Sequence, residues 1–392
     1  MRTASLLLVL LVGLVTLAAC ADPEPAGDGL LAVLDDDHVF VMDHEGNNRV
    51  AITDDEAEAA DRAFYFQPVW SPDGDKIAFS RISPGTGLHV AATDGADMSA
   101  IDTDTLPFYY SWSANGDIAL LRNGDSGTIN LEITAIDGME MAGPTMVDSG
   151  APLYFSWSPD GSVMVTHIGT ERLEITDGAS PMPTGILPGA FQTPDWTEAG
   201  IVALERGPGD QTVLLIDPDG ASRPLARVLG PTNLVATADG SRLAVQSNVT
   251  DIDGVSAASQ QLLSVVPNRV VVIDTESGEQ MSATEGPALA FFWSPQGDRL
   301  LILDVDENQE ARWSIWADGE VRPSVSFQLE PTFLRNFLPF FDQYAQSVSL
   351  WSPDGTAFAF PGTIDGESGI WVKSNDSDAK RISAGTWVSW SG

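Results

Sequence analysis

The sequence predicts an all-β protein, an eight-bladed β-propeller of four-stranded blades, with seven blades as the alternative count. Three observations carry that expectation. A tryptophan-led turn recurs in register along the chain, short alternating apolar strands flank each copy, and the two ends supply complementary parts of one blade.

The series opens with Trp70-Ser71-Pro72-Asp73-Gly74 and continues as Trp112-Ser113-Ala114-Asn115-Gly116, Trp157-Ser158-Pro159-Asp160-Gly161 and Trp196-Thr197-Glu198-Ala199-Gly200. It goes on through Ala236-Thr237-Ala238-Asp239-Gly240, Trp293-Ser294-Pro295-Gln296-Gly297 and Trp351-Ser352-Pro353-Asp354-Gly355, and ends in Trp390-Ser391-Gly392. First positions are separated by 42, 45, 39, 40, 57, 58 and 39 residues, which is the period of a propeller blade. Pro presets φ at the second position of a tight turn, Asp or Asn tolerates the third, and Gly supplies positive φ. Apolar alternation on both sides, as in Tyr154-Phe155-Ser156-Trp157 and Ile77-Ala78-Phe79, makes each turn a hairpin. The tryptophan offers a large apolar surface and an N–H that seeks an acceptor. Two further short strands follow, for example Val270–Asp274 and Gln280–Ala283.

This turn resembles the WD-like repeats of TolB-type β-propellers, over roughly residues 29 to 392. The resemblance implies the propeller fold and leaves the activity open. The short stretch before the first strand leaves no room for the α/β domain that precedes the propeller in TolB itself. A hydrolase domain of the kind found beside such propellers in prolyl oligopeptidase relatives is likewise not expected.

With strands A to D counted from the axis outward, Leu30–Leu34, His38–Met42 and Arg49–Thr53 read as B, C and D of a blade without its A strand. Thr386–Trp390 supplies that strand, so the first blade is shared between the termini and the ring has no open edge. Residues 30–392 are thus expected to form one propeller domain.

Ahead of it, Arg2, the apolar run Leu6–Val15 and Leu17-Ala18-Ala19-Cys20 read as a lipoprotein signal peptide over 1–19. Cys20, the one cysteine of the chain, is the expected site of lipid attachment, and residues 20–29 are a flexible tether. The apolar run is short of the ~20 residues of a membrane span. The expectation is therefore a domain held outside a bacterial cytoplasm by lipid alone.

Composition limits the partners. The 392 residues include 56 acidic and 19 basic ones, three of them Lys, for a net charge of −37. Nucleic-acid binding is excluded, because it needs clustered Lys and Arg. At 43% hydrophobic the chain has ample material for a core. A single cysteine forms no intramolecular disulfide.

Departures from the repeat are where function is expected. The two long intervals place insertions at Asn248 to Asn268, between strands B and C of blade six, and at about Val325 to Gln346, between blades seven and eight. Connections B–C and D–A leave on one face, opposite the tryptophan turns, so both insertions belong to it. The second carries Phe333, Arg335, Phe337, Phe340, Phe341 and Tyr344. Exposed, these would bind a partner; folded back over the channel mouth, the rings would bury themselves.

The same face gathers Asp35, Asp36 and Asp37, Asp304 and Asp306, and Asp54, Asp55, Glu56 and Glu58. Calcium takes several oxygen ligands, so a rim site is conceivable there, although no segment follows the twelve-residue calcium loop. Solvated loop carboxylates are the simpler reading.

Catalytic motifs are sparse. Gly124-Asp125-Ser126-Gly127 resembles the nucleophile region of trypsin-like proteases but lies in a B–C loop, and His38, His44, His89 and His167 are dispersed. No nucleophile elbow, phosphate loop or zinc helix occurs. The sequence therefore points to a monomeric, non-enzymatic scaffold that binds an envelope protein or extracellular polymer. The alternative is an enzyme with a channel-mouth site, of the metal-dependent hydrolase or lactonase type.

Overall fold

The repeated turn is built from its own side chains. In the computed structural model, which describes residues 29–53, 62–83, 85–189, 192–249, 265–374 and 377–392, Ser71 Oγ donates to Asp73 and accepts the Lys76 N–H at 2.9 Å. Gly74, at φ +72°, closes the turn by donating its N–H to the Ser71 carbonyl at 3.0 Å. Ser158, Asp160 and Gly161 repeat this arrangement, as do Ser352, Asp354 and Gly355. Thr237 substitutes its hydroxyl in the copy that begins with Ala236. That hydroxyl donor is the main reason the carboxyls of Asp73, Asp160 and Asp239 are held below the ordinary range, Asp160 at about 2. The copy at Trp196 departs from the pattern. Thr197 pairs directly with Gly200 across a two-residue reversal, and Glu198 donates its N–H to Ala238 of the next copy.

Each turn joins the first two strands of an antiparallel sheet. The first sheet runs from the outside inward as Val50–Ala51, His38–Asp43, Leu30–Asp35 and Trp387–Trp390. Leu31 to Leu34 lie opposite Trp390 to Trp387, so the terminal strands pair as the sequence predicts. Five more four-stranded sheets follow, with inner strands Phe64–Trp70, Pro107–Trp112, Leu153–Trp157, Asp195–Thr197 and Thr232–Ala236. The sheet of Trp112 carries an added hairpin, Ile136–Asp137 with Glu140–Met141.

The remaining strands form one seven-stranded sheet, where separate four-stranded units were expected. Glu320–Leu329 is the pivot. Its residues through Phe327 pair with Ala311–Ala317, whereas Gln328 and Leu329 pair with Thr363 and Gly362. The chain then leaves the sheet and returns at Leu350, whose carbonyl accepts the Ala359 N–H, and Trp351, which bridges to Phe358. Two segments thus share the inner position beside Ala357–Ile364. The radial set of antiparallel sheets, closed by its terminal strands, is a β-propeller.

Tryptophans of the motif stitch neighbouring sheets together. Trp112 Nε1 donates to the Val69 carbonyl, Trp157 to Ser111, Trp293 to Val235, Trp351 to Phe292 and Trp70 to Ser389. In every case the acceptor is the residue just before the motif position of the preceding sheet. In these five the bond satisfies an indole N–H whose ring is buried or half-buried between sheets, whereas Nε1 of the buried motif tryptophan Trp390 has no partner among the described residues.

Candidate functional site

After Leu329 the chain turns inward and crosses the axis of the ring. Phe333–Phe337 forms a wide helical turn, Leu338–Phe340 a tight one, and Phe341–Tyr344 a short α-helix. Glu330 caps the start by accepting the Phe333 N–H at 2.7 Å. Phe333, Phe337, Phe341 and Tyr344 are buried. Phe337 stacks on Phe333 and Tyr344 at centroid distances of 4.7 and 4.9 Å and meets Trp387 edge-on, while Phe341 packs on Phe291. Aromatic side chains dominate a core through the area they cover, and this cluster is the core of the channel.

Polar contacts fix the insertion to sheets around the ring. Gln67 donates to the Tyr344 hydroxyl, and the Tyr109 hydroxyl donates to the Gln343 carbonyl at 3.0 Å. Gln343 Nε2 reaches the Phe155 carbonyl at 3.2 Å, Gln346 Nε2 the Pro194 carbonyl at 2.9 Å, and Asn233 Nδ2 the Asp342 carboxylate at 3.2 Å. Gln67 is aimed inward by a bulge in Phe64–Trp70, where it adopts φ +53°. Burial pushes the Tyr109 hydroxyl up to about 12 and the Tyr344 and Tyr110 hydroxyls further. Of the six residues singled out in this segment, four side chains therefore face inward. Arg335 and Phe340 face outward, together with Leu334, and Phe340 is 51% exposed.

The insertion separates two cavities. On its outer side, a cavity of about 520 Å³ is bounded by Phe66, Phe108, Tyr109, Tyr154, Phe340 and Tyr344, with Arg335 and Asn336 among its lining. On the side of the tryptophan turns, a cavity of about 470 Å³ is floored by Ala345–Leu350 and ringed by motif residues of all the inner strands. Here the indole ladder has a gap. Ala236 stands where a tryptophan would, and its N–H donates to Asp195 Oδ2 at 2.8 Å. Asp195 lines the cavity but sits deep within the ring, and burial, with the Asp342 charge adding to it, pushes its carboxyl up to about 6. Burial likewise raises Asp342 to about 6, against the opposing hydrogen bond from Asn233.

The carboxylates considered for a cation lie in two separate loops. Asp35 pairs with Arg49 at 2.8 Å, Asp36 and Asp37 with Arg62 at 3.0 and 3.5 Å, and Asp304 with Arg312 at 2.9 Å. Asp306 accepts the N–H groups of Asn308 and Glu310, which lower its carboxyl from the ordinary value. Among the described residues no three His, Cys, Asp or Glu side chains are grouped to hold a metal ion. Cys20, Asp54, Asp55, Glu56 and Glu58 lie outside the described residues, as does 250–264 of the other insertion. The base of that insertion is clamped by Asn268, whose side chain exchanges two 2.9 Å hydrogen bonds with the Val249 backbone.

Sequence reasoning did not single out Gln67, Asp195, Asn233, Asp342 or Gln343. For Asp195 a signal existed. The residue before the motif is Val69, Ser111, Ser156, Val235, Phe292, Leu350 or Ser389 in the other copies, and the one acid belongs to the copy that comes just before the copy without tryptophan.

No protein-family model and no curated protein matches the chain. Solved structures do. A eukaryotic initiation factor superposes with a TM-score of 0.53 at 10% identity, covering 92% of this chain and 98% of that one. TolB from Acinetobacter baumannii gives 0.41 at 13% identity, covering 90% and 78%. The β-propeller domain of the trilobed protease from Pyrococcus furiosus gives 0.43 at 11% identity, covering 82% and 86%. At these identities the likeness is one of fold.

Proposed function

We propose that the chain is a TolB-type, lipid-anchored propeller of eight blades, working outside the cytoplasm as a monomer that binds an envelope protein or extracellular polymer. The count of eight is supported by the six four-stranded sheets and by the seven-stranded sheet, which divides at Leu329 into two blades once Leu350 and Trp351 are added to its last three strands. The lipid anchor rests on the sequence around Cys20.

One observation carries the binding role. The insertion is anchored inward by four aromatic rings while Leu334, Arg335 and Phe340 stand outward on its far side. A rigid base under exposed apolar and Arg side chains lowers the ordering cost of an interface. The test is a cross-linked pull-down of the lipoprotein from native membranes beside a Leu334→Ser/Phe340→Ser variant. A stoichiometric partner captured by the first and lost by the second supports the reading; capture indifferent to these residues removes it.

A second reading, an enzyme, has one observation in its favour. Asp342, which is buried, and Asp195, which is half-buried, have carboxyls raised to about 6, and Asp195 lines the cavity on the tryptophan-turn side. Such shifts suit a general acid near neutral pH. Hydrolysis of lactone or glycoside substrates that disappears in Asp195→Asn would favour it over the scaffold.

A further inference from the structure

We propose that the cavity behind Arg335 is a small-molecule site for an amphipathic organic anion, an aromatic or branched apolar body bearing one carboxylate or sulfonate. This goes beyond the scaffold reading, because such a site takes its ligand whether or not a macromolecule docks on the same face.

Size and walls set the apolar body. A volume of about 520 Å³ falls within the ~300–1,000 Å³ range of small-molecule sites, and the walls are chiefly aromatic and aliphatic. Charge sets the anion. In a chain with 56 acidic and 19 basic residues, the described residues that line this cavity include no carboxylate and a single formal charge, Arg335. Arg122, Arg172 and Arg312 each hold a carboxylate within 3 Å, whereas Arg335 forms no ion pair among the described residues. A guanidinium presents its N–H fork to carboxylate or sulfonate oxygens in matching geometry.

Anilinonaphthalene sulfonate has this constitution, with two apolar ring systems and a sulfonate; phenylnaphthylamine is its uncharged counterpart. Fluorescence titration of the purified mature protein is expected to show one saturable sulfonate site per chain. Arg335→Gln should weaken sulfonate binding about tenfold or more while leaving phenylnaphthylamine within about twofold. Ile82→Trp, at a partly exposed position of the wall, should weaken both. Thermal midpoints report that the variants remain folded, and Arg335 is exposed and makes no hydrogen bond or ion pair among the described residues. Sulfonate binding unchanged by Arg335→Gln, or both probes unchanged by Ile82→Trp, overturns the proposal. The titration contains no partner protein, so its failure leaves the pull-down reading intact, and the converse holds.

Discussion

Asn233 donates from Nδ2 to the Asp342 carboxylate at 3.2 Å, while its own Oδ1 accepts from Asn248 at 3.4 Å. One inner-strand side chain therefore joins the short helix on the ring axis to the base of the other insertion. The two departures from the repeat are mechanically one assembly, and its polar links lie where the charge of the buried Asp342 acts on the half-buried Asp195 carboxyl.

Those two carboxyls give the stability curve a definite sign. Both stand at about 6 in the folded chain, against an ordinary value near 4, so the folded state holds their protons more tightly than the unfolded chain does. Their contribution is fully present below about pH 4, falls as pH rises from about 4 to 6, and is flat above. Asp342→Asn keeps an acceptor for Asn233 and removes one of the two titrations. Relative to the native chain it should gain on the order of 2–3 kcal/mol between pH 4 and pH 7 in denaturant melts. A gain that does not change with pH would contradict the assignment.

Phe337 and Phe340 are three residues apart and should respond in opposite ways. Phe337 is 1% exposed within its aromatic cluster, and Phe337→Ala opens a cavity there at about 3–5 kcal/mol. Phe340 is half exposed, and Phe340→Ser should stay within about 0.5 kcal/mol. Chemical denaturation of the two variants checks the contrast.

Equivalent glycines of the turn should also differ. Gly74 and Gly161 both have positive φ, so alanine at either costs about 1–2 kcal/mol in backbone strain. A Cβ on Gly74 meets nothing within 4 Å, whereas one on Gly161 would sit 2.7 Å from the Ala114 nitrogen of the neighbouring sheet. Gly161→Ala should therefore be clearly the worse of the two in thermal melts.

Salt should stabilise the ring. A net charge of −37 repels itself in the compact state, and raising ionic strength from 0.01 to 0.15 M shortens the screening length from ~30 to ~8 Å. The thermal midpoint is expected to rise over that interval in NaCl. A falling midpoint would mean that attractive pairs such as Arg122 with Glu132, at 2.7 Å, outweigh the repulsion.

The scaffold was legible because its turn chemistry is local. Ser71, Asp73 and Gly74 bond to one another, so their order in the chain already specifies the hairpin. The pairing of Leu31–Leu34 with Trp387–Trp390 followed from counting strands. The fate of the aromatic insertion was not legible. Phe337 and Phe340 are the same residue type in the same short segment, and only the approach of Trp387, Phe292 and Tyr344 makes one of them core. The merging of the last strands was hidden for a related reason. Gln328 and Leu329 continue an ordinary strand pattern and change partner only because the next inner strand arrives late, at Leu350. Asp195 acquires its role from Ala236, 41 residues away, through a gap visible only when the copies are stacked in space.

The pairing of the terminal strands also decides how the molecule bears a load. Leu30–Asp35 lies inside its sheet, in register with His38–Asp43 on one side and Trp387–Trp390 on the other. A pull along the proposed tether cannot peel this strand from an edge. It must shear two seams at once, one of them formed by the far end of the same chain. Tension at the proposed membrane anchor would thus be spread around the closed ring, so the strand nearest the bilayer need not be the first to yield.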